Sequence, residues 1–231
     1  MTVEEINELE KKYFDLLVKL FEKTGTTFTK NILSQYSIRE TWNNYNGDMS
    51  FIQRGLESVI KGIIYKSVDW EICSTPEGSD CIFQTSRAII HIDAKALKYD
   101  DSDATGNKIN LGPNQTSCFT SEPLDYQGKP FSSNLPTLYN HGTFGSIPCL
   151  TYFLKLIYNL DDELNSFRNF SLILCSLPNG ELNNQLGFNH FQAGKTQTEH
   201  IRTSIRINYN LLQIDEQNQF KWKRFHKLNM I

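Results

Sequence analysis

The chain has 231 residues, a formal net charge of −3 and five cysteines, a length that suits one compact α/β or α+β domain with a full core. The acidic balance excludes a bulk nucleic-acid coat but leaves room for local basic patches, because phosphate contacts depend on where Lys and Arg side chains sit. The odd cysteine count without a CxxC pair argues against a disulfide framework and a zinc ribbon. The acidic start lacks a signal-peptide core, and no apolar run nears the roughly 20 residues of a membrane helix. A cytoplasmic protein with reduced thiols and no membrane partner is therefore expected.

Along the chain, residues 3–23 have the period of an amphipathic helix, with Ile6, Leu9, Tyr13, Leu16, Leu17, Leu20 and Phe21 on one stripe and Gly25 to close it. A polar, aromatic stretch follows, and Asn43 to Gly47 has loop chemistry. Residues 50–65 form a second predicted helix, with Ser50 as N-cap, a stripe from Phe51 to Ile64, and Glu57 beside that stripe. Val68 to Cys73 alternates weakly. Thr75-Pro76-Glu77-Gly78 is a turn, Asp80 to Gln84 a short strand, and Ala88 to Ala96 a longer strand rich in Ile.

A charged loop from Lys98 to Asn107 and a turn region from Asn110 to Ser117 come next. Residues 122–146 are rich in Pro, Gly, Ser and Asn and are expected to be irregular. Pro148 is expected to open a third helix, with Leu150, Phe153, Leu154, Ile157 and Tyr158 facing inward. Phe170 to Leu177 has the character of a buried strand, residues 179–200 of loops, and Ile201 to Leu211 of an alternating strand. Phe220 to Lys227 interleaves aromatic and basic residues and is a candidate phosphate grip. The sum is an α/β fold, a mixed central sheet flanked by helices, in a single domain over residues 1–231.

Chemistry concentrates in Ser79-Asp80-Cys81-Ile82-Phe83 and Ile90-His91-Ile92-Asp93-Ala94-Lys95. Alternate residues of a strand share a face, so Asp93 and Lys95 point the same way. A hairpin brings Asp80 beside them. Two adjacent carboxylates repel unless a cation lies between them, and Mg²⁺ takes hard oxygen ligands together with substrate phosphate. Lys95 adds charge to stabilise a phosphorane or to activate water. The set is suited to in-line phosphodiester hydrolysis. A structural salt bridge between Asp93 and Lys95 is the alternative. Another acid-x-Lys, Glu10-Lys11-Lys12, falls on the first predicted helix and is expected to carry no chemistry. His91 shares the Asp93 strand and is expected in the core or at its flank.

At these residues the chain resembles the PD-(D/E)xK nucleases, and among them the type II restriction endonucleases of the EcoRV-like, blunt-cutting branch. Ser79-Asp80 stands where that family has Pro-Asp, and Asp93-Ala94-Lys95 matches its second motif. Lys108-Ile109-Asn110-Leu111-Gly112 through Thr116-Ser117, and Gly194 to His200 followed by Ser204 to Tyr209, are similar to the family's post-catalytic turn and recognition segment. The resemblance implies a restriction-endonuclease-like fold, with a helical part over about 1–65, the catalytic hairpin over about 68–97, and a recognition loop and C-terminal part over about 179–231.

It further implies Asp80, Asp93 and Glu57 as metal-binding acids, Lys95 as the catalytic lysine, and Mg²⁺ as cofactor. The implied partners are double-stranded DNA and a second copy of the chain, because a two-fold dimer matches a palindromic site; a cognate DNA methyltransferase is expected as a genetic partner only. The implied products carry 5′-phosphates, on blunt ends. The resemblance nominates Lys108, Asn114, Gln115 and Thr116 as DNA contacts, and side-chain chemistry suited to bases and phosphates adds Gln192, Lys195, Thr196, Gln197, Thr198, His200 and Arg202, with Gly194 for close backbone approach. A structure-selective repair or junction nuclease of the same fold, and a non-catalytic DNA-binding module, are the alternatives.

Overall fold

The computed structural model describes residues 1–35, 38–73, 80–119, 124–126, 129–131, 133–143, 145–160, 167–194, 204–215 and 219–229. The elements run α1 (Val3–Gln35), α2 (Ile38–Asn44), α3 (Met49–Ser67), β1 (Glu71–Ile72), β2 (Cys81–Gln84), β3 (Ile89–Lys98), α4 (Ser102–Thr105), β4 (Lys108–Leu111), β5 (Leu124–Tyr126), β6 (Lys129–Phe131), β7 (Leu138–His141), β8 (Gly145–Leu160), β9 (Phe167–Leu177), α5 (Leu182–Leu186), β10 (Gln192–Ala193), β11 (Ile205–Asn208) and β12 (Phe225–Asn229). Among the described residues the main sheet has seven strands in the order β1-β2-β3-β8-β9-β12, with β7 also paired to β8. Only β3 and β8 run parallel in it, so the sheet is mixed, as expected.

Strand β8 overturns the helix expected after Pro148. Its even positions, Leu150, Tyr152, Leu154, Leu156 and Tyr158, join a core with Leu17 and Phe21 of α1 and Ile52, Leu56, Ile60 and Ile64 of α3. Phe153 and Ile157 join a second core with Ile109, Leu111, Ile205 and Ile207. A strand buried on both faces is apolar almost continuously, and such a run satisfies helical spacing as readily as strand spacing. Helices thus cover one face of the main sheet. The other face carries a small antiparallel sheet of order β10-β11-β4.

Smaller expectations are also corrected. Helix α1 continues through Gly25 to Gln35, since an interior glycine costs a helix only about 1 kcal/mol. The N-cap of α3 is Asp48, whose carboxylate accepts from Ser50 N–H at 2.8 Å, rather than Ser50 itself. The stretch expected to be irregular holds a β5–β6 hairpin and β7. None of the described helices is long and apolar enough to cross a membrane. All five cysteines are free thiols; Cys73 is half-buried and the other four are buried.

Candidate active site

The site grows from the end of a β ladder. Strand β2 pairs with β3 from Gln84↔Ile89 to Cys81↔Ile92. Beyond Ile92 the same edge of β3 presents further backbone donors, and these need acceptors. The Asp80 carboxylate supplies one, its Oδ2 accepting from Ala94 N–H at 2.8 Å. Glu57 supplies the next, its Oε1 accepting from Ala96 N–H at 3.0 Å. Two acids from different elements are therefore pinned to one strand edge by hydrogen bonds of the strand itself.

Glu57 reaches that edge because α3 buries Ile52, Leu56, Ile60 and Ile64. Glu57 and Lys61 each follow a residue of this stripe and lie one turn apart beside it. Lys61 Nζ sits 2.8 Å from Asp80 Oδ1. On the strand, Lys95 Nζ lies 3.1 Å from Asp93 Oδ1 and 3.6 Å from Asp80 Oδ2. The structure thus brings Asp80, Asp93, Lys95 and Glu57 into one constellation, as the sequence reading expects. It adds Lys61, whose only sequence signal is its spacing of four from Glu57.

Asp93 is fully buried. Its Oδ1 accepts from Gln115 Nε2 at 2.7 Å, while its Oδ2 has no hydrogen-bond partner among the described residues. Burial pushes the Asp93 carboxyl up to about 7, against the pull of Lys95. Burial also acts on Asp80, but there Lys95, Lys61 and the Ala94 N–H outweigh it and hold the carboxyl below its ordinary range. Burial raises Glu57, with the Ala96 N–H opposing. For Lys95 burial disfavours the charge, yet Asp93, Asp80 and Glu57 together hold the ammonium above the usual lysine range. Two carboxylates with divergent titration and a firmly protonated lysine meet at one point. His91, two residues back on β3, is fully buried, and desolvation drives it down to about 4, so its imidazole is neutral.

A cleft of about 500 Å³ opens in front of Lys95, lined among others by Gln53, Lys108, Gln115, Lys155 and Arg206. Lys155 lies opposite Lys95 in the parallel β3–β8 register. Its Nζ donates to the carbonyls of Asp103 at 2.6 Å and Lys108 at 2.7 Å, and burial lowers its pKa to about 8. Arg206 Nε pairs with Asp103 Oδ1 at 2.9 Å, and its Nη1 donates to Ala193 O at 3.1 Å. These two cations bind β8 and β11 to the α4–β4 segment. Neither stands out in the sequence, because an isolated basic residue on an alternating strand carries no spacing signal.

The expected DNA contacts divide. Lys108 is half-buried on the cleft wall, and Gln192 is exposed on β10. Asn114 Oδ1 accepts from Asn134 Nδ2 at 2.5 Å. Gln115 faces Asp93 instead of outward. Thr116 is corrected outright: it is fully buried, and its hydroxyl accepts from Cys118 N–H at 3.0 Å. Gly194 makes a close backbone approach, but to its own sheet, since a Cβ there would collide with Ser204. Lys195, Thr196, Gln197, Thr198, His200 and Arg202 lie outside the described residues.

The C-terminal basic segment is also corrected at Arg224. This residue is buried, with Nη1 2.7 Å from Glu10 Oε2 and Nη2 donating to Asn7 Oδ1 at 2.6 Å. Glu10, expected to be inconsequential, is a buried anchor.

The family described as "Type II restriction enzyme MwoI, N-terminal domain" matches residues 2–163. No match was found among curated proteins. Among solved structures, the restriction endonuclease BglI bound to its DNA recognition sequence superposes with a TM-score of 0.72 at 17% identity, over 98% of this chain and 92% of that one. The tetrameric restriction endonuclease SfiI bound to cognate DNA superposes with a TM-score of 0.68 at 15% identity, over 99% of this chain and 86% of that one. With the family matched over most of its length and the restriction-endonuclease fold present throughout, the chain belongs to the MwoI N-terminal domain family of type II restriction enzymes, which places it among the site-specific deoxyribonucleases.

Proposed function

We propose that the chain cuts both strands of a short palindromic DNA site by Mg²⁺-dependent attack of water on the phosphodiester, with Asp80, Asp93 and Lys95 as the reacting set. One observation carries this reading: a fully buried carboxylate oxygen, Asp93 Oδ2, has no hydrogen-bond partner among the described residues, in a carboxylate that shares Lys95, a residue of the cleft wall, with the Asp80 carboxylate. Orphaned buried polar atoms are rare, and an ion is among the things that explain them. Hard carboxylate oxygens suit Mg²⁺. No cluster of three or more His, Cys, Asp or Glu converges among the described residues. Asp80 and Asp93 would therefore hold the ion with water and phosphate oxygens completing its shell. When bound, the ion polarises the phosphate and acidifies a coordinated water.

The remaining work falls to the chain. Lys95, held protonated by its three carboxylates, supplies a fixed positive charge where the phosphorane develops negative charge, and its N–H groups orient the attacking water. Glu57 keeps the edge of β3 in place and adds an outer acid. Lys61 neutralises Asp80 while the strand edge is formed. Lys108 and Gln192 are proposed DNA contacts from the cleft wall and β10. The BglI and SfiI structures are complexes with DNA, which supports duplex DNA as the partner. A homodimer is proposed from the symmetry of a palindrome. The EcoRV-like resemblance carries blunt ends into the proposal, with action in the cytoplasm and a methyltransferase protecting the host site.

The test is cleavage of a long unmethylated duplex with Mg²⁺ or EDTA, beside Asp93→Ala. Discrete fragments that require both Mg²⁺ and Asp93 are expected, and end-sequencing then reads the site and the stagger. Staggered ends would remove the blunt-cutting part alone. Structure-selective nicking would replace sequence reading by a repair role, and binding without cleavage would overturn the catalytic reading.

A further inference from the structure

The geometry points to Gln115 as a positioning residue for Asp93, one that ties this carboxylate to the small sheet β10-β11-β4 rather than to DNA. The inference rests on the reading of Asp93 as a metal-binding acid. Both ends of the Gln115 amide are used. Its Nε2 donates to Asp93 Oδ1 at 2.7 Å, and its Oε1 accepts from Gly112 N–H at 3.0 Å. The second bond folds the side chain back over the turn that leaves β4, where a Cβ on Gly112 would run into the amide.

The consequence for Asp93 is orientational. Lys95 and Gln115 both approach Oδ1, the ammonium at 3.1 Å and the amide at 2.7 Å. One carboxylate oxygen is thereby fixed, and the other, Oδ2, has no hydrogen-bond partner among the described residues. Lys95 alone does not lock the group, because a flexible ammonium follows a rotating carboxylate and also attends Asp80. A planar amide braced at its far end by Gly112 does lock it. Outer partners that orient a metal-binding carboxylate typically govern metal affinity by about 10- to 100-fold.

The bracing extends into the sheet. Strand β4 pairs with β11 over Lys108↔Asn208 to Leu111↔Ile205, and β11 pairs with β10. The hairpin closed by Gly194 and Ser204, whose connecting residues contain the proposed base-reading segment, is thus joined by backbone hydrogen bonds to the strand that ends in the Gln115 turn.

Mn²⁺ titration of the full chain, followed by calorimetry, tests this beside duplex binding in Ca²⁺ and cleavage in Mg²⁺. The proteins are the parent chain, Gln115→Met, Gln115→Glu and Asp93→Ala. Gln115→Met matches the length of the side chain and lacks both hydrogen bonds. Gln115→Glu keeps the acceptor for Gly112 and removes the donor to Asp93. The expected result is Mn²⁺ affinity lowered about 10- to 100-fold in Gln115→Met, cleavage slowed in both Gln115 variants, and duplex binding in Ca²⁺ and the thermal midpoint near the parent.

Parent-like cleavage in Gln115→Glu with a defect only in Gln115→Met assigns the role to the turn and overturns the inference. Lost duplex binding with unchanged Mn²⁺ affinity makes Gln115 a DNA contact and also overturns it. If Gln115→Met does not fold, cleavage by folded Gln115→Glu decides alone, parent-like rates overturning the inference. Asp93→Ala separates the two levels. If it still cleaves, the reading of the site fails; if it is inactive while the Gln115 variants match the parent, the site stands and Gln115 does not.

Discussion

The chain contains two acid-x-lysine triplets, and they end in opposite circumstances. In Asp93-Ala94-Lys95 the strand period of two puts acid and lysine on one face, 3.1 Å apart. In Glu10-Lys11-Lys12 the helix turns about 200° over the same spacing. Glu10 is buried while Lys11 and Lys12 are exposed, and Lys11 pairs with Asp15 instead. Glu10 finds its cation 214 positions away in Arg224, and its two oxygens are both engaged, Oε2 by Arg224 and Oε1 by Asn179 N–H at 2.6 Å. Asp93 keeps one oxygen unengaged among the described residues. A buried acid whose oxygens are all satisfied staples the fold; a buried acid with one oxygen left over is poised to bind something.

That contrast can be broken most sharply at Asp93. Asp93→Ala is expected to lower the cleavage rate about 1,000-fold or more, the scale for removing a group that acts on developing charge, while thermal unfolding shows a folded protein. A cleaving Asp93→Ala would erase the distinction between the two triplets.

Glu10→Ala should show the reverse pattern. Removing one partner of a buried ion pair costs about 3–5 kcal/mol, and for a chain of this size that lowers the midpoint by about 10 °C. Replacing both partners, as Glu10→Leu with Arg224→Met, should recover much of the loss, because no uncompensated charge then remains. A Glu10→Ala midpoint like the parent's would show that the pair does not hold the termini together.

A pH series sharpens the comparison. Asp93 titrates in the folded chain at about 7, above its ordinary value of 3.8. The folded state therefore binds more protons than the unfolded state between these limits, so this stabilising contribution is fully present below about pH 4 and is lost as pH rises through 7. Without metal, the thermal midpoint should fall by about 5 °C between pH 5 and pH 8, and Asp93→Asn should flatten the slope. An unchanged slope would mean that Asp93 is not the group that titrates.

The smallest effect is expected at Glu57. Glu57→Gln keeps an oxygen for the Ala96 N–H and removes only the charge, so cleavage should fall by about tenfold or less in a steady-state assay. A loss matching that of Asp93→Ala would promote Glu57 from outer acid to direct ligand.

Local pattern determined a good deal by itself. The stripe of α1, the helix that places Glu57, the β2–β3 hairpin and the shared face of Asp93 and Lys95 all follow from short-range periodicity, because backbone geometry sets which neighbours face the same way. Tertiary structure decided the rest. Whether Leu150 to Tyr158 is helix or strand depended on there being a core on each face of β8. Glu10 became a staple only when Arg224 arrived from the other end of the chain, and Gln115 met Asp93 only once the small sheet brought the turn after β4 against β3. A spacing rule cannot see such pairings, because what selects them is a buried polar group's need for a partner, and that partner is brought by the fold from anywhere in the sequence.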